Sequence, residues 1–195
     1  MTQNNHLRAR SALHAWENNK PTNFFRADVN LQHVLQMYLG DRYAEAAERL
    51  DAFGEACATT IDRSAKIEDE IGNHPRLNRY TGIGERVEEI EFHPNHDITG
   101  TLIWQSGMLS LQSEPGNTVT QMALFYLLSH DGEAGHCCSI ACTSGLIRAL
   151  QTAAAPEVRD QFLPPLIDPN FAQMQHGAQF LTEVQGGGDV GANSV

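Results

Sequence analysis

Between residues 28 and 61 the apolar side chains return every three or four residues, and that period commits the segment to helices with one buried face. The first run is Val29, Leu31, Val34, Leu35, Tyr38 and Leu39, closed by Gly40, a residue type that commonly stops a helix. The second begins after Asp41 and carries Ala44, Ala47, Leu50, Phe53, Cys57 and Ile61, with Glu45, Glu48 and Arg49 between them. It predicts a helix that reaches or passes Ile61. With 41% hydrophobic residues among 195, the chain can bury a core without staples and has room for one domain and part of another.

The texture differs on either side of that segment. Residues 1–20 are polar and mixed, and the Asn-Asn-Lys-Pro break at 18–21 predicts a mobile arm over 1–27 that docks on a partner. Over 73–96, Pro75, Gly82 and Gly84 interrupt the pattern before Val87, Ile90 and Phe92 alternate with acids, which predicts a loop with a short extended piece. Further helices are expected over 98–113, 119–130 and 139–152, the first two parted by Glu114-Pro115-Gly116-Asn117 and the last two by Gly132 and Gly135. Pro156 suits the first turn of another helix, which Pro164-Pro165 should end. The chain is thus expected to be mainly α, with a helical domain over 28–170. Beyond it, Ala178, Phe180 and Leu181 precede Thr182, Glu183 and a triple glycine, the pattern of a strand entering a tight loop. Residues 171–195 are expected to open a second, β domain, with a strand that stops at Ser194-Val195, too soon to form a sheet alone.

Charge and cysteine usage exclude several roles. A formal charge of -11 repels phosphate, so a nucleic-acid backbone is a poor partner for this segment. The four cysteines, Cys57, Cys137, Cys138 and Cys142, are too few and too clustered for a disulfide framework, and nothing at the amino terminus resembles a signal peptide. A reducing, cytoplasmic compartment is the expectation. The longest apolar stretches, such as 122–128, fall far short of the ~20 residues a membrane-spanning helix needs.

One segment carries chemistry. Gln179-Phe180-Leu181-Thr182-Glu183-Val184-Gln185-Gly186-Gly187-Gly188-Asp189-Val190 resembles the flavin-contacting signature of acyl-CoA dehydrogenases, in which a strand ending in Thr-Glu leads to a glycine-rich turn and Ser-Asp. Loops without side chains bring backbone N–H groups up to a flavin edge and a pyrophosphate. A glycine triplet after a strand is also a common flexible turn. Here it follows a helical leader and a proline-rich connector in the order that the family shows. The stretches His74-Pro75-Arg76-Leu77-Asn78-Arg79-Tyr80 and Arg86-Val87-Glu88-Glu89-Ile90-Glu91-Phe92-His93-Pro94 are similar to the AidB branch, as are Gln185-Gly186-Gly187 and the helix start at 133–143.

The resemblance implies an acyl-CoA dehydrogenase-like N-terminal helical domain followed by the first strands of a β-barrel-like middle domain. It implies FAD as cofactor, with Gln179, Phe180, Leu181, Thr182, Gly187 and Gly188 as cofactor contacts and Thr182 as the foremost of them. Gly188, Cys138 and Cys142 are the implied contacts to acyl-CoA. Gly188 departs from the family, which usually has serine there, and the loss of one such hydrogen bond costs roughly 0.5–1.5 kcal/mol. The implied activity is α,β-desaturation of an acyl-CoA in fatty acid metabolism, in which a carboxylate base removes the α-proton and a hydride passes to the flavin. That base lies in the family's carboxy-terminal region, so no catalytic residue is assigned here. The expected partner is a complementing chain carrying the rest of the middle domain and the C-terminal helical domain, in an oligomer; a fragment of a longer protein and a product that never binds flavin remain open alternatives. Two other roles are also open: an AidB-like stress-response flavoprotein whose DNA site lies in the carboxy-terminal region, and a non-catalytic helical scaffold.

Other clusters have plainer readings. His93, His96 and Asp97 lack an obvious fourth zinc ligand, and Asn95 or Asp97 is expected to cap the following helix. Cys138 and Cys142 share a helix face and are expected to be buried as compact apolar residues. His130-Asp131 is read as a helix end, and Glu85, Glu88, Glu89 and Glu91 as a solvated surface.

Overall fold

A computed structural model describes residues 2–193, with side chains described from residue 5. The elements are α1 (Thr2–Asn18), α2 (Phe24–Ala27), α3 (Val29–Leu39), α4 (Tyr43–Ala56), α5 (Asp62–Glu68), strands β1 (Arg76–Tyr80) and β2 (Arg86–Glu91), α6 (Pro94–Gln105), α7 (Thr118–Ser129), α8 (Ala134–Ala153) and α9 (Pro156–Leu166). The mainly helical architecture expected of an acyl-CoA dehydrogenase N-terminal domain is present. Residues 2–18, expected to be a mobile arm, form a helix instead. Lys66 holds Glu17 at 3.1 Å and Lys20 holds Asp62 at 3.1 Å, so α1 and the turn after it are tied to α5 by charge more than by packing.

The core follows the apolar period. Asp28 caps α3 by accepting from the Leu31 N–H at 2.8 Å, Leu35 and Leu39 go inside, and Gly40 ends the helix at a φ of 52°. Helices α4 and α5 form one rod through a π-helical stretch, Cys57–Ile61, and bury Ala46, Leu50, Phe53, Cys57 and Ile61 on one face. α2 crosses this rod where Gly54 leaves no side chain: a Cβ there would stand 2.7 Å from the Phe25 backbone nitrogen. α7 lays Ala123, Leu124, Leu127 and Leu128 against the rod, and α8 adds Ile140, Ile147 and Leu150. Each fully buried side chain of this kind is worth roughly 1.5–3 kcal/mol relative to exposure.

Several boundaries differ from expectation for local reasons. The helix expected over 98–113 begins at Pro94, because His93 accepts the Asn95 N–H and is the cap in place of Asn95 or Asp97. It stops at Gln105, where Gly107 turns the chain with a φ of 88°. α8 begins five residues ahead of expectation because Glu133 is its cap, and Pro164-Pro165 sit within the last turn of α9 instead of ending it. The single extended piece expected over 87–92 has a partner: β1 pairs with β2 antiparallel, Arg76 opposite Glu91 and Leu77 opposite Ile90. Phe92 stacks on His96 at 4.2 Å and fastens this exposed hairpin to α6.

Beyond α9 the expected strand over 178–183 is extended chain without a ladder. Its one pairing is an isolated bridge between Glu183 and Gly186, because no described strand lies beside it. The expected strand end at Ser194-Val195 lies outside the described residues. Among the described residues, no helix is long and apolar enough to cross a membrane.

Candidate functional site

The glycine-rich segment reaches its place by a backbone seat on α8. The Gln175 N–H donates to the Pro165 carbonyl at 2.9 Å, and the Gly177 N–H donates to the Thr143 hydroxyl at 2.9 Å. Thr143, fully buried, donates in turn to the Ser139 carbonyl at 2.8 Å, so its hydroxyl is used on both sides. The seat requires glycine: a Cβ on residue 177 would stand 2.8 Å from the Thr143 Cα and 3.2 Å from the Cys142 carbonyl oxygen. His176 joins the seat through a short Nδ1 contact to the Ser139 hydroxyl at 2.5 Å.

Beneath this seat lies an aromatic cluster. His176 meets the Trp104 ring edge-on at 5.5 Å, Phe171 lies 5.1 Å from Trp104, and His136 stacks on His96 at 4.1 Å. Gly100 makes room for the Phe171 ring, which would come within 2.3 Å of a Cβ. Glu133 organises the floor by accepting from the His136 and Cys137 backbone N–H groups, with its carboxylate 3.1 Å from the His136 ring Nδ1. Burial pushes Glu133 up, but the hydrogen bonds from His136 outweigh it and hold the carboxyl below its usual range. Burial depresses His96 to about 4 and also lowers His176. His96 is therefore neutral at pH 7.

The implied flavin contacts separate into two groups. Gln179 turns back onto α8, its amide nitrogen lying over the bare Gly145. Phe180, Leu181 and Thr182 are exposed, Phe180 by 95%, as are Gly187 and Gly188. The turn is stabilised by the two Glu183–Gly186 backbone bonds at 3.0 and 3.3 Å and by Asn193, whose amide donates to the Leu181 carbonyl at 2.6 Å. Gly186 is held to glycine, since a Cβ would stand 2.4 Å from the Asn193 side-chain oxygen. Gly188 has open space around it. Among the described residues, the backbone N–H groups of Thr182, Gly187 and Gly188 donate to no acceptor. Free N–H groups on a loop that a ring or a phosphate can approach fit the polar edge and pyrophosphate of a flavin nucleotide.

The implied acyl-CoA contacts are not gathered in the same way. Cys142 lies half-buried under the Gly177 crossing, whereas Cys138 is exposed and not packed as a small apolar residue. It sits on the second turn of α8, on the rim and not the core side. No described contact links Gly188 to either cysteine.

The sequence reading missed Asp131. Neither of its carboxylate oxygens has a partner or touches solvent. Burial, reinforced by nearby Asp62, pushes this carboxyl up to about 8, and the buried Cys57 beside it, a weak donor, does not restore it. No pattern in the chain marks it, because a helix end followed by aspartate is ordinary at the surface.

Comparison with known proteins follows this geometry. The family described as the adaptive response protein AidB N-terminal domain matches residues 16–173. Caenorhabditis elegans ACDH-11, solved in complex with C11-CoA, has the same fold at 20% identity with a TM-score of 0.74, over 85% of this chain and 29% of its own. The apo form of Bd2924 superposes with a TM-score of 0.76 at 24% identity, over 88% of this chain and 35% of its own. The chain thus spans about a third of the length of either solved protein. No curated protein sequence matches it.

Proposed function

The chain belongs to the AidB N-terminal domain family, and from that premise we propose that it is the helical amino-terminal portion of an FAD-dependent, acyl-CoA dehydrogenase-like flavoprotein. The remaining parts come from another chain or from further sequence. The observation that carries the reading is the glycine loop after Thr182, seated on α8 at Gly177, with free N–H groups and open space at Gly188. The C11-CoA held by ACDH-11 supports a fatty acyl thioester as substrate. FAD, when bound, supplies the hydride acceptor for α,β-desaturation. This chain's residues bind and orient: Thr182 through its hydroxyl and N–H, Gly187 and Gly188 through their N–H groups. Phe180 and Leu181 offer apolar cover, and Gln179 anchors the segment to α8. Cys138 and Cys142 border the acyl side. The α-proton is taken by a carboxylate supplied elsewhere.

The test is the visible spectrum and native mass of the protein purified from its own source. Flavin bands with an additional polypeptide or a longer chain, followed by bleaching on titration with an acyl-CoA, are the expected result. A colourless preparation that takes up no FAD rejects the reading in favour of a scaffold. A second reading, a stress-response flavoprotein, draws support from the family's adaptive-response description. It retains the FAD bands but shows no bleaching by acyl-CoA. With a charge of -11, this segment is not its DNA contact.

Gly188 offers a finer test. Nothing lies within 4 Å of a Cβ there, and its backbone is not in the left-handed region, so Gly188→Ser is accommodated without strain. Restoring a neutral hydrogen bond of roughly 0.5–1.5 kcal/mol tightens FAD binding about two- to tenfold, measured by flavin fluorescence on the holoprotein. Unchanged affinity removes residue 188 from the flavin contacts.

A further inference from the structure

A cavity of about 830 Å³ opens between the turn at 112–116 and the helices α7, α8 and α9. Its lining is half polar and half apolar, and its charge is reversed relative to the chain as a whole. Arg148 of α8 and Arg159 of α9 both reach it, against one carboxylate, Glu114, which is engaged by the Asn117 amide at 2.9 Å. Arg148 has no partner among the described residues, and Arg159 has only its exposed chain neighbour Asp160, at 3.1 Å. In a protein of net charge -11, two arginines around one cavity with so little to pair them are a local field waiting for an anion.

Two independent features complete it. α7, twelve residues long, starts at this cavity with Thr118 in the wall and has no side-chain cap; the N–H groups of Thr118, Val119 and Thr120 have no acceptor among the described residues. Such a terminus favours an oxyanion. Gln121, one turn further on, also lines the cavity and is only 4% exposed, and its side-chain amide makes no hydrogen bond among the described residues. A ligand's hydroxyl or carbonyl in the cavity would give that amide the partner it lacks. Nearby, Gln112 donates to the Ser144 hydroxyl at 2.6 Å and Gln151 donates to the Gln112 carbonyl at 2.8 Å, so Ser144 is held in place with its own proton free to give.

We propose that this cavity binds a small phosphorylated, hydroxyl-bearing molecule, with its phosphate between Arg148, Arg159 and the start of α7 and its hydroxyl groups read by Gln121 and Ser144. The volume is within the range of small-molecule pockets and exceeds what a bare phosphate fills. None of its lining residues belongs to the glycine loop, so its fate does not depend on the function proposed above.

Calorimetric titration of the full chain with ribose 5-phosphate, inorganic phosphate and ribose tests it. Ribose 5-phosphate is expected to bind, inorganic phosphate more weakly, and uncharged ribose not at all. Arg148→Gln, an exposed change that leaves the core intact, should weaken both phosphates by roughly tenfold or more. Gln121→Met should weaken ribose 5-phosphate several-fold while leaving inorganic phosphate unchanged, and Arg159→Gln gives a second surface variant. No binding of either phosphate at about 10 mM, or equal binding by wild type and Arg148→Gln, overturns the site. Equal affinity for inorganic phosphate and ribose 5-phosphate overturns the organic ligand.

Discussion

Asp131→Asn is expected to make the protein more stable, by an amount that grows with pH between about 4 and 8 and then levels off. In the native protein the carboxyl is pushed up to about 8, above its ordinary value of 3.8, because its oxygens are shielded and unpartnered. The folded state therefore holds a proton that the unfolded state has released across that window. Stability associated with this group is fully present below 3.8 and is lost as pH rises through 8. Asparagine has nearly the same shape and does not titrate. Because the residue as a whole is only partly buried, the full linkage figure is discounted, to about 2 kcal/mol at pH 8. For a chain of this size that corresponds to roughly 4–8 °C in Tm. Thermal melts of both proteins from pH 4 to 9 decide it, and parallel curves would show that Asp131 ionises normally. His96 acts at the other end: its depressed value means that its contribution is present above 6.5 and is lost as pH falls towards 4. The Asp131→Asn protein should keep that acid-side loss.

Gly177→Ala is expected to unseat the glycine-loop segment. The added Cβ meets the Thr143 Cα at 2.8 Å, a backbone atom inside a twenty-residue helix that cannot step aside. The segment must lift, and it takes with it the Gly177–Thr143 hydrogen bond and the His176 packing on Trp104. Overpacking of this kind costs about 1–3 kcal/mol, and the buried Thr143 hydroxyl left without its donor adds to it. Tm should fall by roughly 4–10 °C, and the chain near 175–182 should become a protease site. Gly188→Ala, in open space, is the matched control. If Gly177→Ala melts and digests like the control, the seat does not position the loop.

How much of this was readable in advance depended on range. The cap of α3 and the apolar periods of α3, α4 and α7 are written in residues within a turn or two of one another, so Leu35, Leu50 and Leu124 declare themselves as core. The glycine loop was legible because a backbone without side chains needs a particular run of residues. β1 was not, because Arg76–Tyr80 alternates weakly and owes its strand to pairing with β2. The helix at 2–18 was missed because a polar composition looks the same whether or not Lys20 and Lys66 meet carboxylates on α5 and α1.

The amino-acid sequence by itself determined the helical class and the net acidity, because each of these depends on local pattern or on a sum over residues. Tertiary structure alone decided which side chains share an environment. It buried Asp131 without a partner, stacked His96 on His136, pressed Gly177 onto Thr143, and brought Arg148, Arg159 and Gln121 around one cavity. The physical reason is that desolvation, stacking and hydrogen bonding act over a few ångströms of space. Arg148 and Gln121 are far apart along the chain, and only the packing of α7 against α8 makes them neighbours.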